Sequence, residues 1–209
     1  MKCEPIFPIL VGKAQLEFDQ NMINVWKNYI RTTEKATLSH EHINPSARPT
    51  QDYLTINERL LDSFIFGQLK EEITSQARLY ATESNIPFED LQICNSWGYQ
   101  IGLDNNPVNY HSHANSMISG VYYLTEGAPI EFRSHHFPVK NSPFAIEPLY
   151  APKPEKFIHQ IFPKENLLIF FPSSLEHRVL KNFIDERYCI AFNIIPKGDF
   201  GVPYGNFTL

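Results

Sequence analysis

From about residue 90 onward, short apolar runs recur between turns: "LQICNSWGYQI", "SGVYYL", "PIEFRS", "KFIHQIF", "NLLIFFP" and "ERYCIAFNII". Each is of strand length and rich in the aromatic and β-branched residues that pack well on a pleated surface. Many short strands at fairly even spacing must bury their apolar faces against one another, which restricts this half of the chain to a sandwich, jelly roll or barrel. The 16 Phe, 10 Tyr and 16 Pro, against 9 Gly, suit an aromatic β core with rigid loops.

The first half reads differently. Residues 5–18 are extended, with Pro8 marking an edge or a break. Residues 19–34 predict a helix capped by Asp19, with Met22, Val25, Trp26 and Tyr29 on its apolar stripe. Residues 35–56 are polar with two prolines and predict a loop. Residues 57–83 predict the strongest helix, with Leu60, Leu61, Phe64, Leu69, Ile73 and Ala77 inward and Glu71 and Glu72 on the wetter side. No repeat and no linker interrupts the chain. The expectation is one α+β domain over 1–209: a support layer over 1–90, a double-sheet core over 91–196 and a tail over 197–209.

With 209 residues, 43% of them hydrophobic and 20% charged, the chain can bury a sizeable core. A net charge of −5 and a pI near 5.9 argue against a general nucleic-acid binder, which needs a positive surface, but leave room for a local basic pocket. Cys3, Cys94 and Cys189 are an odd, widely spaced set, so neither a disulfide framework nor a thiolate zinc site is implied. That usage predicts a reducing, cytoplasmic setting. The start "MKCEPIFPILVG" lacks the shape of a secretory signal, and no apolar run approaches a membrane span. A homodimer is compatible with the sequence, which does not fix the oligomeric state.

The chemistry centres on "NYHSHANSMISGVYYL", residues 109–124. Alternate residues on a strand share a face, so His111 and His113 would point the same way, about 6.5 Å apart at Cα, and could converge on one metal ion. A third ligand must come from elsewhere, and His177, after an apolar strand and a proline–serine turn, is the best candidate. His40 and His42 suit a surface pair, His135 and His136 would face opposite sides of a strand, and His159 suits a core or edge position. Arg187 opens an otherwise apolar strand on which Arg187, Cys189 and Ala191 share one face and Tyr188, Ile190 and Phe192 the other. A buried guanidinium needs a partner. A small dicarboxylate would bind it through two parallel bonds, and an internal ion pair with Asp185 or Glu186 is the alternative.

This order of parts, namely Trp97, H-x-H, "SGVYYL" at 119–124, "FPSSLEH" at 171–177, Arg187 and "AFN" at 191–193, resembles the 2-oxoglutarate- and iron(II)-dependent oxygenase superfamily. Within it, the chain is most similar to a family of bacterial and phage members. The resemblance is specific over about residues 92–196, looser toward the opening "IFP", the long helix and the tail, and implies a double-stranded β-helix of the jelly-roll, cupin-like type.

By position, the resemblance implies that His111 and His177 are metal ligands and that Arg187 and Tyr123 hold the distal carboxylate of 2-oxoglutarate. Cys189 fills the slot beside that arginine, usually serine. Fe(II), 2-oxoglutarate and O2 are the implied cofactor and cosubstrates. Asn95, Trp97, Tyr99 and Phe132 are expected to line the pocket, and residues 133–154 to form a lid or substrate-contacting loop. The departure is His113, which stands where most of the superfamily has the carboxylate of the 2-His-1-carboxylate triad. A three-histidine dioxygenase or hydrolase that does not use 2-oxoglutarate, and a non-catalytic metal-binding relative, remain open alternatives. The substrate, a small molecule or peptide, is not specified by any motif.

Overall fold

Side-chain alternation along the longest strands sorts the apolar residues into two cores, and that sorting sets the architecture. The computed structural model describes residues 8–33, 35–37, 53–55, 58–103, 108–134, 158–200 and 207–208. The elements begin with β1 (Gly12–Gln15), α1 (Gln20–Thr32), β2 (Lys35–Thr37) and β3 (Tyr53–Thr55). Two 3-10 turns (Leu60–Asp62, Phe64–Phe66) lead into α2 (Gly67–Glu83). Then follow β4 (Asp90–Gly102), β5 (Val108–His111), β6 (Ile118–Tyr123), β7 (Ile130–Arg133), β8 (Ile158–Ile161) and β9 (Leu167–Pro172). The last are β10 (His177–Val179), β11 (Glu186–Lys197), β12 (Asp199–Phe200) and β13 (Phe207–Thr208). The main sheet runs β1-β9-β6-β11-β4-β3-β2 and the smaller one β5-β10-β7-β8, with β12 and β13 forming a separate pair. These two facing sheets with helices on one side form the expected jelly roll. No described helix is long and apolar enough to cross a membrane.

On β11, Tyr188, Ile190, Phe192 and Ile194 join Tyr122 of β6 and Leu168 and Phe170 of β9 in a core shared with both helices. The opposite faces of the same strands carry Tyr123, Ile169, Phe171 and Cys189, which meet Ile130, Phe132 and Ile161 of the smaller sheet. Gly120 permits the close approach behind this arrangement: a Cβ there would fall 2.4 Å from the Phe192 ring.

The helices follow the sequence with instructive shifts. The Asp19 side chain accepts from the Met22 amide at 2.9 Å, capping α1 as expected. Its buried stripe is Ile23, Trp26 and Ile30, one position round from the expected one, so Val25 is 49% exposed. Trp26 sets that orientation, because its ring packs against Phe18, Phe66 and Tyr122 and its Nε1 donates to the Ile65 carbonyl at 2.8 Å.

The segment 57–83 is not one helix. Extended Ser63 (ψ 135°) separates the two 3-10 turns, and Phe64 is fully exposed rather than inward. Here tertiary bonds override local propensity: Ser96 Oγ accepts from the Leu61 amide at 2.9 Å, and the Ser96 amide donates to Glu58 O at 2.7 Å. The expected loop 35–56 contributes two strands, β2 and β3, that extend the main sheet beside β4. The rest of that loop, His40, His42, His135, His136 and residues 135–154 of the expected lid lie outside the described residues.

The smaller sheet is made of strands of three or four residues, too short to be secure on ladder bonds alone. Its outer face is joined by one carboxylate. Glu131 accepts from Tyr110 Oη of β5, Arg178 Nε of β10 and Gln160 Nε2 of β8, each at 2.6 Å. Burial alone would raise its pKa, but those bonds outweigh burial and hold it below the ordinary carboxylate value. The Arg133 and Arg178 guanidiniums lie 4.2 and 4.5 Å from the centre of the Tyr110 ring, and Arg133 pairs with Glu176 at 2.6 Å. We expect Glu131→Ala to destabilise the protein by roughly 2–3 kcal/mol, because it strands three donors at once. Urea unfolding measures this, and Glu131→Gln should recover part of the loss.

Candidate functional site

The inner face of the smaller sheet follows from the same alternation. Tyr110 and Arg178 point outward, so their neighbours His111 and His177 point inward. They are also directly opposed partners across β5 and β10, and His177 faces Phe132 on its other side. His113 lies beyond the end of β5, so the two-residue strand spacing does not itself place it. Its amide donates to Ser173 O at 2.9 Å, and Asn115, at φ 58°, bends the chain back. The ring centroids of His111 and His113 are 5.2 Å apart.

The nitrogens of His111, His113 and His177 available as ligands lie within 4.8 Å of one another. His111 Nδ1 is 2.9 Å from Asn109 O, and His177 Nδ1 is 2.9 Å from Leu175 O. A carbonyl only accepts, so in both rings Nδ1 carries a proton, which leaves Nε2 as the atom that can offer a lone pair to a metal. The Nε2 atoms of His113 and His177 are 3.3 Å apart. Ligands at about 2.1 Å and near 90–110° around one ion would be about 3.0–3.5 Å apart, so the set fits a first-row metal.

Behind His113 runs a polar chain that the sequence did not reveal. Ser116 Oγ donates to Ser173 Oγ at 2.9 Å, and Ser119 Oγ donates to Asn193 Oδ1 at 2.7 Å. Each hydroxyl has one hydrogen, so Ser173 must donate across the remaining 2.9 Å to Ser119. The signal was present in the inward phase of Ser119, Val121 and Tyr123, but nothing local pointed to Ser173.

A cavity of about 50 Å³, several times what one ordered water needs, lies between the sheets. Trp97, Tyr99, Ile101, Tyr123, Arg187 and Cys189 line it together with the three histidines. Arg187 is 1% exposed and, among the described residues, has no carboxylate within ion-pair distance. The internal pair with Glu186 does not form, because Glu186 faces the other way and accepts from Gln100 and Tyr188, each at 2.9 Å. Arg187 Nη1 approaches Cys189 Sγ at 3.7 Å, while Arg187 Nε and Tyr123 Oη are buried without a hydrogen-bond partner among the described residues. Orphaned polar atoms beside a cavity fit a ligand carrying a carboxylate. Two expected lining residues are displaced: Asn95 pairs with Asn193 and does not border the cavity, and Phe132 packs behind it on Phe171 at 5.0 Å. His159 lies exposed on the edge strand β8.

Residues 95–193 match the family model described as "Putative 2OG-Fe(II) oxygenase". No curated protein sequence matches the chain. Among solved structures it is similar to a Pseudomonas putida prolyl-4-hydroxylase, with 12% identity over 90% of this chain and 93% of that one, TM-score 0.57. It is also similar to the non-heme alpha ketoglutarate dependent epimerase SnoN from nogalamycin biosynthesis, with 10% identity over 93% and 83% of the chains, TM-score 0.65. A third is HygX from Streptomyces hygroscopicus with nickel and 2-oxoglutarate bound, with 10% identity over 90% and 83%, TM-score 0.56. At such identities the likeness speaks to the fold.

Burial, reinforced by the nearby His111, lowers His177 to about 3 and His113 to about 4 from the ordinary 6.5. Both rings are therefore neutral and ready to coordinate at neutral pH. On unfolding they would take up protons below about 6.5, so the unfolded state binds more protons and stability falls as pH falls through this window. The melting temperature of the metal-free protein should drop steadily between about pH 6.5 and 4, followed by circular dichroism. A flat profile would contradict the buried placement of these two rings.

Proposed function

We propose that the chain, whose residues 95–193 match the 2OG-Fe(II) oxygenase family model, couples oxidation of 2-oxoglutarate to hydroxylation of a second substrate, using His111, His113 and His177 as its iron(II) ligands. The observation that carries this reading is Arg187, buried without an ion-pair partner among the described residues and sharing one cavity with three converging histidines. A three-histidine site that worked without a dicarboxylate would have no use for that charge. Iron(II) held there would supply activation of dioxygen, with 2-oxoglutarate giving succinate and carbon dioxide as one oxygen atom enters a C–H bond.

The chain's own residues bind, orient and exclude water. Arg187 neutralises the distal carboxylate, Tyr123 Oη donates to it, and Cys189 Sγ steadies the guanidinium. The Nδ1 bonds of His111 and His177 fix tautomer and ring orientation, a role in which outer partners commonly govern metal affinity. Ile130, Phe171 and Val179 give the cavity apolar walls that keep bulk water from the reacting atoms. Net charge −5 favours a small molecule or peptide over nucleic acid as the second substrate. The odd, widely spaced set of three cysteines favours a cytoplasmic setting.

Anaerobic addition of iron(II) and then 2-oxoglutarate should produce the weak visible band of the chelate, and admission of air should yield succinate. Arg187→Ala should weaken 2-oxoglutarate binding by about 10–100-fold while leaving metal binding intact. His177→Ala should abolish tight metal binding, whereas His113→Asp should retain it. The reading fails if the iron-loaded protein does not bind 2-oxoglutarate, or if Arg187→Ala binds it unchanged.

A further inference from the structure

Trp97 lines the same cavity, and its Nε1 is buried without a hydrogen-bond partner among the described residues. The other tryptophan, Trp26, has satisfied its indole on the Ile65 carbonyl at 2.8 Å. An indole N–H only donates, so whatever completes Trp97 must be an acceptor. Leaving such a donor buried and unmet costs about 1–3 kcal/mol, and native structures keep few of them.

Position narrows the acceptor. Along the cavity face, Cys189 stands opposite Tyr99 and Tyr123, and Ala191 stands opposite Trp97 and Val121. The Trp97 row is thus one same-face step, about 6.7 Å, from the row that carries Tyr123. That step matches the span of a five-carbon dicarboxylate. The Trp97 ring also lies 5.9 Å from His113, so the row borders the metal ligands. Ala191, the small residue opposite Trp97, lines the same cavity. The three histidines bring no carboxylate oxygen into the site, and no other described residue that lines the cavity carries one, so a bound carboxylate fits the open donor.

We propose that Trp97 Nε1–H donates to the metal-end carboxylate of the 2-oxo acid, opposite the end held by Arg187 and Tyr123. The inference rests on the oxygenase reading and adds a second anchor to it. Arg187 reads the distal carboxylate, whereas Trp97 reads a group that every 2-oxo acid carries.

Pyruvate, which has no distal carboxylate, separates the two anchors. With anaerobic iron(II)-loaded protein, Trp97→Phe should weaken 2-oxoglutarate and pyruvate alike, by about tenfold, with iron affinity unchanged. Arg187→Ala should weaken 2-oxoglutarate alone. The intact protein offers a second measurement that needs no variant. In the zinc-loaded, 15N-labelled protein, the two indole N–H resonances are resolved against each other; adding 2-oxoglutarate should move that of Trp97 downfield and leave that of Trp26 in place. Unchanged affinities in Trp97→Phe together with an unmoved Trp97 resonance would overturn the proposal while 2-oxoglutarate still bound. Loss of 2-oxoglutarate binding with pyruvate unaffected would overturn it too, by placing Trp97 at the distal end. If the wild-type protein bound neither acid, the oxygenase reading itself would fail, and this inference with it.

Discussion

The candidate site depends on a carboxylate that takes no part in it. Glu131 is 3% exposed and gathers donors from three neighbouring strands, so the four-stranded sheet is tied by side chains where its ladders are short. Because alternate residues face opposite ways, fixing Tyr110 and Arg178 on the outer face fixes His111 and His177 on the inner one. A slip of one residue in β5 or β10 would exchange a ligand for Tyr110 or Arg178. The outer network is therefore a register lock for the metal ligands, and its buried charge is offset by bonds from Tyr110, Gln160 and Arg178.

Elsewhere the interior is satisfied, which gives the exceptions meaning. Among the described residues, four buried side-chain polar atoms lack a partner: Ser84 Oγ, Trp97 Nε1, Tyr123 Oη and Arg187 Nε. The last three belong to residues lining one cavity. Packing errors would scatter such atoms, whereas a binding site collects them. All three are donors or can donate, and one carries a full positive charge, so their common complement is an anionic oxygen ligand. The chemistry of the cavity is thus defined by what the protein leaves unpaired as much as by the histidines.

Much of this was legible from residue order. The phase of β11 could be read directly, since Tyr188, Ile190 and Phe192 alternate with Arg187, Cys189 and Ala191 and nothing competes with that pattern. His177 could be nominated because a strand, a turn and a histidine followed in order. The misreadings share one cause, which is long-range packing. Trp26 turned α1 by a position, and Ser96 held Leu61 out of a continuous helix. Asn95 has the correct strand phase but lies beyond the cavity's end, a distance that no local pattern encodes. Glu131 and Ser173 were invisible because their importance comes from partners at least 21 residues away, reached only after the sheets have formed.

His113 sets the charge of the site. It stands where the resembled superfamily has a carboxylate, yet the fold holds it firmly, through the Ser173 carbonyl and the chain from Ser116 to Asn193. Three neutral imidazoles leave a divalent ion with its full charge, whereas a carboxylate ligand would have removed one unit. The cavity adds Arg187, so the loaded pocket would carry several unbalanced positive charges in a poorly solvated space. A 2-oxo dicarboxylate places one negative charge at each end and relieves both. Metal and cosubstrate should therefore reinforce each other's binding, and by linkage each would tighten the other by the same factor. On this argument the histidine does not weaken the case for a dicarboxylate ligand. It shifts part of the charge balance from the protein to the cosubstrate, which makes the metal's hold on the site depend on what else is bound there.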